Sequence, residues 1–384
     1  MECSEQCCGV AKSQEAGINN KECLSDGMGQ QKSDGNGLTQ ARTAHFITRF
    51  IRTTAGVIPQ VTTYWMLKDY LGAIMVRCGI KRNKYEVTSG LYAVGDPNER
   101  SNVLVTANYK LSFDTVRKNL VGLNAWLLVL DTKGINVWCA AGKGTFGTEE
   151  LVRKIRQVAL AKIVKHRHLI LPQLGAVGVA AHLVKKASGF TVIYGPVRAT
   201  DIRQFIQAHY HTSGEMRRVH FGWYDRVILI PNDFIHGLRY LLAAAAVLLL
   251  LSGINKSGFL FQQAVDLGIP AIKNLVLGYV AGIIVTPLLL PYIPVRSFAL
   301  KGFFMGLLLA ILLFLKHSLG STNLEIISWF LILPGIASFL AMNFTGSSTF
   351  TSLSGVKKEM KIAVPLQITS LVVALILVIT AKIV

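Results

Sequence analysis

Hydrophobic and polar positions divide the chain near residue 235. Beyond Pro231 come five apolar stretches, at roughly 238–254, 271–290, 299–316, 324–344 and 363–383. Each is close to the ~20 residues that cross ~30 Å of hydrocarbon. Turn-rich links at 252–253, 291–297 and 346–355 separate them. This pattern predicts an all-α transmembrane domain of five helices over 236–384. Pro287 and Pro334 fall inside spans and predict kinks. No ionisable residue sits mid-span, which favours an anchor or partner platform over a transport path.

Upstream the periodicity changes. Short β-rich runs at 102–106, 125–130, 136–138, 169–171, 192–194 and 227–230 alternate with amphipathic segments. One segment starts with Thr148 as N-cap and Glu149 and Glu150 in its first turn; Leu151, Ile155, Val158 and Ile163 form its apolar face. Another starts at Thr200, with Ile202, Phe205 and Ile206 following. Such alternation predicts an α/β domain with an open sheet and helices on both faces. The domain is expected over 41–235, with its core at about 90–235. Residues 1–40 are rich in Ser, Gly, Gln and Asn, lack an apolar segment of secretory type, and read as a disordered tail.

Composition sharpens this division. Only 16% of the 384 residues are charged, against about a quarter in soluble domains. The net charge of +19 divides into +12 over 1–235 and +7 over 236–384. Basic residues flank the spans, as membrane proteins require, and no stretch interleaves them with aromatics as single-strand binders do. The reading is therefore membrane and no nucleic acid. Arg217, Arg218, Arg226 and Arg239 before the first span place the N-terminal domain in the cytoplasm, on the inner membrane. Cysteines there stay reduced. Four of the six, Cys3, Cys7, Cys8 and Cys23, lie in the tail without zinc-ribbon spacing.

Ligands of open α/β sheets sit beyond the carboxyl ends of the strands. The ends expected here carry small and polar residues: Thr106-Ala107-Asn108, Asp131, Cys139-Ala140-Ala141-Gly142, Pro172-Gln173-Leu174-Gly175 and Gly195-Pro196. Two nucleotide motifs fail. Gly142-Lys143 lacks the earlier glycine of a P-loop, that position being Val137, and no G-x-G-x-x-G joins a strand to a helix. His166-x-His168 and His209-x-His211 have no nearby Cys or carboxylate to complete a metal set. The chemistry concentrates in Asn136-Val137-Trp138-Cys139-Ala140-Ala141-Gly142-Lys143, where one cysteine precedes residues small enough to admit a large planar ligand.

That run resembles, at every position, the signature of the corrinoid proteins of microbial mercury methylation (the HgcA family). The resemblance continues through Lys143-Gly-Thr-Phe-Gly-Thr148, Leu171-Pro-Gln-Leu-Gly175 and Gly195-Pro-Val-Arg198, over roughly 90–235. The five spans match that family's layout. Soluble corrinoid iron–sulfur methyl carriers have a related domain without the membrane part. The resemblance implies a Rossmann-like domain holding a base-off, cobalamin-type corrinoid, with the Cys139 thiolate as axial ligand of cobalt. Residues 136–143 with Thr106, Asn108, Gly175 and Gly195 would line the cofactor. The D-x-H-x-x-G run that supplies an imidazole instead is absent; Asp233-Phe-Ile-His236-Gly237 has the wrong spacing.

The implied reaction is methyl transfer from methyl-Co(III) to Hg(II). Thiolate donation weakens the Co–carbon bond and methyl leaves with its electron pair. Cobalt remains Co(III) and needs two electrons to reach Co(I), which accepts a new methyl cation. The chain lacks a C-x2-C-x2-C-x3-C cluster run, so the resemblance implies a ferredoxin-like iron–sulfur partner as electron donor. It also implies a methyltransferase that delivers methyl from a methylated pterin. Two alternatives stay open: a membrane-bound corrinoid methyl carrier of one-carbon metabolism, and a non-enzymatic membrane protein with a regulatory α/β domain.

Overall fold

A computed structural model describes residues 44–255, 258–347 and 353–383. The expected tail at 1–40, with its four cysteines, lies outside the described residues. The chain forms two compact units. One holds the residues up to Val76 and Lys81–Val219; the other holds Arg77–Ile80 and His220–Val384.

The first unit opens with β1 (Ile47–Thr53), β2 (Gly56–Val61), α1 (Leu67–Arg77) and β3 (Gly90–Val94). Then follow β4 (Asn102–Ala107), α2 (Lys110–Lys118), β5 (Ala125–Leu130), α3 (Val137–Gly142), α4 (Thr148–Gln157) and α5 (Leu160–Ile163). The unit closes with β6 (His168–Leu171), α6 (Ala181–Ser188), β7 (Thr191–Tyr194), α7 (Ile202–Gln207) and α8 (Gly214–Arg217). The seven strands form one sheet in the order β1-β2-β3-β5-β4-β6-β7. Four of them, β5-β4-β6-β7, are parallel, with Leu104 opposite both Leu127 and Ile170. β3 runs antiparallel to β5.

Both faces of the sheet are covered, so the central strands are apolar throughout. All six residues of β5 are buried. Val103, Val105, Trp126 and Leu128 pack with α3 to α6 through Ala140, Leu151, Ile155, Leu160 and Val184. Leu104, Leu127 and Val129 pack on the other face with Phe113 of α2 and Ile202 and Phe205 of α7. This is the doubly wound α/β arrangement expected from the alternation of elements.

Three sequence expectations change. Residues 136–138 are not a strand: Asn136 is an N-cap and Val137 and Trp138 open α3. Residues 227–230 are not a strand either, but lie inside a helix that starts at Trp223. The long amphipathic segment from Thr148 divides in two, because Ala159 turns left-handed (φ 47°) and separates α4 from α5; its N-cap is Gly147. The Thr148 hydroxyl instead accepts from the backbone N–H of Ala180 at 2.9 Å.

The second unit contains α9 (Trp223–Ser252), α10 (Phe261–Val280), α11 (Phe298–Leu315), α12 (Asn323–Asn343) and α13 (Leu353–Ile383). A π-helical segment, Ala281–Val285, continues α10 toward Pro287. Among the described residues, five helices are thus long and apolar enough to cross a membrane. Two glycines four residues apart, Gly302 and Gly306, let α11 approach α12. A Cβ at Gly306 would lie 2.6 Å from Pro334 Cα, and one at Gly302 2.6 Å from Ala341 Cβ. Small residues at this spacing are how helices pack closely in lipid. Polar side chains add links: Asn274 donates to the Ser318 carbonyl at 2.8 Å, and Gln367 to the Ser338 hydroxyl at 2.7 Å.

Candidate functional site at the carboxyl ends of the parallel strands

In chain order the four parallel strands lie second, first, third, fourth across the sheet. The crossover from β4 to β5 passes over one face and that from β5 to β6 over the other. The connections therefore diverge between β4 and β6, and beyond the carboxyl ends at such a switch point ligands are accommodated. The helix α3 sits there, packed against β4 and against the turn that follows β6.

The local sequence explains α3. The Asn136 side chain accepts from the backbone N–H of Cys139 at 2.9 Å, closing the first turn. Val137, Ala140 and Ala141 face the core. Trp138 and Cys139 face outward: Trp138 is 48% exposed and Cys139 is half-buried. Lys143 caps the other end and is exposed, like Gly142. A Cβ at Gly142 or Gly144 would meet nothing within 4 Å. Gly144 has φ of +80°, which glycine adopts freely. Positions 142 and 144 thus leave open space at the C-terminal end of α3.

The glycines behind α3 serve packing. A Cβ at Gly175 would lie 2.6 Å from the ring of Phe146, and one at Gly178 3.0 Å from Ala141 Cα and against the Phe146 carbonyl. Phe146 is fully buried and its N–H donates to the Ala140 carbonyl at 3.1 Å. Small residues at 140, 141, 175 and 178 thus let the post-β6 turn dock on α3. Sequence reasoning assigned that smallness to ligand approach and passed over Phe146 and Gly178. The short run Gly175-Ala-Val-Gly178 was the available signal.

Asn108 ties the ends of β4 and β5 together. Its side-chain oxygen accepts from Thr132 N–H (3.0 Å), Thr132 hydroxyl (2.8 Å) and Gly134 N–H (3.0 Å). Its amide nitrogen donates to Glu86 at 3.2 Å and to Asp131 at 3.4 Å. Asn108 therefore shapes the 131–134 loop that leads into α3. Thr106 is buried within β4. Gly195 donates its N–H to the Leu171 carbonyl at 2.7 Å, joining the ends of β6 and β7, and a Cβ there would lie 3.2 Å from Ile170. The structure brings residues 136–143 and Gly175 together at the switch point. Asn108 supports them from below, Thr106 lies inside the sheet, and Gly195 stands at the neighbouring strand end.

Among the described residues no three His, Cys, Asp or Glu side chains gather to hold a metal ion. Cys139 supplies a single soft donor atom at this position. The partly buried Cys139 sulfur, with open space at positions 142 and 144, fits a group that takes one soft ligand from the protein.

A model of the family described as "CO dehydrogenase/acetyl-CoA synthase delta subunit" matches residues 76–206, which hold β3 to β7 and nearly all of α7. The chain is 34% identical over 128 residues to an acetyl-CoA decarbonylase/synthase complex subunit gamma of Methanopyrus kandleri, covering 33% of this chain and 27% of that protein. It is 33% identical over 125 residues to a corrinoid/iron-sulfur protein large subunit of Moorella thermoacetica, covering 32% of this chain and 28% of that protein. A gamma subunit of Archaeoglobus fulgidus is 30% identical over 134 residues. The chain thus spans little more than a quarter of the length of the curated relatives it matches. The family match covers the segment that carries β3 to β7 and α3, and the relatives are gamma subunits of acetyl-CoA decarbonylase/synthase complexes and a corrinoid/iron-sulfur protein large subunit.

Proposed function

We propose that the protein is a membrane-anchored, corrinoid-dependent methyltransferase whose Cys139 sulfur is the chain's ligand to cobalt and whose methyl acceptor is Hg(II). The observation that carries this reading is the placement of Cys139: partly exposed, in the first turn of α3, at the switch point of a sheet in a segment similar to a corrinoid/iron-sulfur protein. A bound corrinoid supplies a cobalt-held methyl group that a soft metal ion can accept. Asn136 fixes the start of α3 and so the sulfur's position. Trp138 offers an aromatic surface beside it, and the open rim at Gly142 and Gly144 leaves room for a macrocycle. Lys143 stands at the rim, where a cation can meet the cofactor's polar side chains. A ferredoxin-like iron–sulfur protein and a pterin-dependent methyltransferase would restore the carrier on the cytoplasmic side.

The names of the relatives favour a second reading, a membrane-bound methyl carrier of acetyl-CoA chemistry with no role toward mercury. One experiment separates the two. The purified full chain is loaded with methylated corrinoid, its visible spectrum is recorded, and Hg(II) is added. Formation of methylmercury that is lost in Cys139→Ala supports the mercury reading. A cobalt spectrum that depends on Cys139, with no methylmercury, supports the carrier. A folded chain that takes up no corrinoid overturns both.

A further inference from the structure

The helix α1 is built inside out for a soluble domain. Its inward face is Asp69, Ala73 and Val76, all buried. Its outward face carries Leu67, Tyr70, Leu71, Ile74 and Met75, spaced to form one stripe. Leu67 is 73% exposed, Leu71 51% and Ile74 57%. A surface helix normally shows the opposite polarity, and a contiguous apolar stripe of this kind marks an interaction site. The inward face is held by charge. The Asp69 carboxylate meets Lys110 Nζ and His45 Nε2 at 2.7 Å and Arg117 Nη2 at 2.8 Å, so α1 is clamped to α2 with its apolar side outward.

We propose that the outer face of α1 lies in the headgroup region of the bilayer, against anionic lipid, and holds the α/β unit to the membrane surface. Two observations select lipid as the occupant. First, α1 runs directly into the membrane unit: Arg77–Ile80 belong to it, and Gly79 lies against His236 of α9. His236 stands three residues before Arg239, after which the apolar run of α9 carries no charge. Second, the stripe is bordered by positive charge. Lys68 flanks it, and Lys81, Arg82 and Lys84 are exposed just past its end. Apolar and aromatic residues on one side with lysine and arginine at the border describe an interfacial helix, and such basic residues are drawn to anionic leaflets.

The test uses the full chain in vesicles. Leu71→Trp places a reporter on the stripe at an already exposed position. Leu183→Trp, exposed on α6 across the sheet, is the control. Wild-type emission is subtracted, and lipids brominated high on the acyl chain are the quenchers. In anionic vesicles the added emission at 71 should lose most of its intensity and that at 183 should be unchanged. Emission at 71 that is blue-shifted but unquenched would mean that protein covers the stripe, either a second copy or residues 1–43, and would overturn the proposal. Quenching of both positions alike, or equal quenching at 71 in purely zwitterionic vesicles, would overturn it as well.

Discussion

At the scale of single residues, Cys139 and Asp69 carry opposite kinds of prediction. Cys139 is partly buried and alanine keeps most of its volume, so Cys139→Ala should cost no more than about 1 kcal/mol of folding stability. It should nevertheless abolish methyl transfer to Hg(II) and shift the visible spectrum of the corrinoid-loaded protein. Cys139→His keeps a ligating atom but would replace the proposed thiolate ligand with a neutral donor, so the cobalt spectrum should persist while transfer falls steeply. Trp138→Ala and Lys143→Ala should cost less than Cys139→Ala, because both stand exposed beside the sulfur and neither supplies a soft ligand. Loss of activity in Lys143→Ala equal to that in Cys139→Ala would refute this order.

Asp69 is a matter of stability. Burial would raise its pKa, but hydrogen bonds from Lys110, the Met66 N–H, His45 and Arg117 outweigh burial and hold it well below the usual carboxylate range. A carboxyl whose folded pKa is depressed stabilises the fold above its unfolded pKa and loses that contribution as pH falls further. The wild-type melting temperature should therefore drop steeply below about pH 4. Asp69→Asn leaves Asp114 as the carboxylate still paired with Lys110 and Arg117, two cations to one anion, and should cost up to about 3 kcal/mol at neutral pH. Its melting temperature should also depend less on pH in the acid range; an equal acid slope in both proteins would show that other carboxyls govern the transition.

At the scale of elements, the contrast between two glycines tests what α3 rests on. Gly178→Ala would drive a Cβ into Ala141 and the Phe146 carbonyl, both backbone, so α3 or the post-β6 turn must move. We expect a loss of about 1–3 kcal/mol, as for other overpacked interiors, and weaker corrinoid uptake. Gly142→Ala meets no atom and should leave stability unchanged or slightly raised. Thermal melts with cobalt content measured on the same samples decide between the two.

Much of this element-level picture was legible in the sequence, and the failures have physical causes. The strand Ala125–Leu130 is readable to the residue because a central parallel strand is apolar on both faces. β1 and β2 were passed over. β1 lacks alternation, its apolar residues standing at 47, 50 and 51 with a register irregularity after Ile47, and β2 contains Pro59, which argues against a strand. The proline is tolerated because β3 pairs with β2 only at Gln60 and Val61, past it. In residues 136–138 the β preference of Val and Trp concealed an Asn N-cap followed by helix-forming alanines. The site's residues were legible by resemblance; their conformation was not, because it depends on docking against a turn some forty residues later.

At the scale of the whole molecule, the remaining prediction concerns what the membrane helices contribute. A cut placed at Pro231 would fall inside α9, which runs unbroken from Trp223 to Ser252. The separation into units lies earlier, after Val219. A fragment ending at Val219 keeps the seven strands, α3 and the Asp69 clamp. It should therefore fold, bind corrinoid and, supplied with methylated cofactor, transfer methyl to Hg(II) in vitro. In cells the same fragment should methylate poorly, if the proposed electron and methyl donors are gathered at the membrane surface. It should also keep a weak, salt-sensitive affinity for anionic vesicles through α1, falling as the screening length shrinks from ~10 Å at 0.1 M to ~3 Å at 1 M salt. Full activity in cells would remove the platform role of the five helices. Bound corrinoid without transfer in vitro would mean that those helices help to build the reacting site.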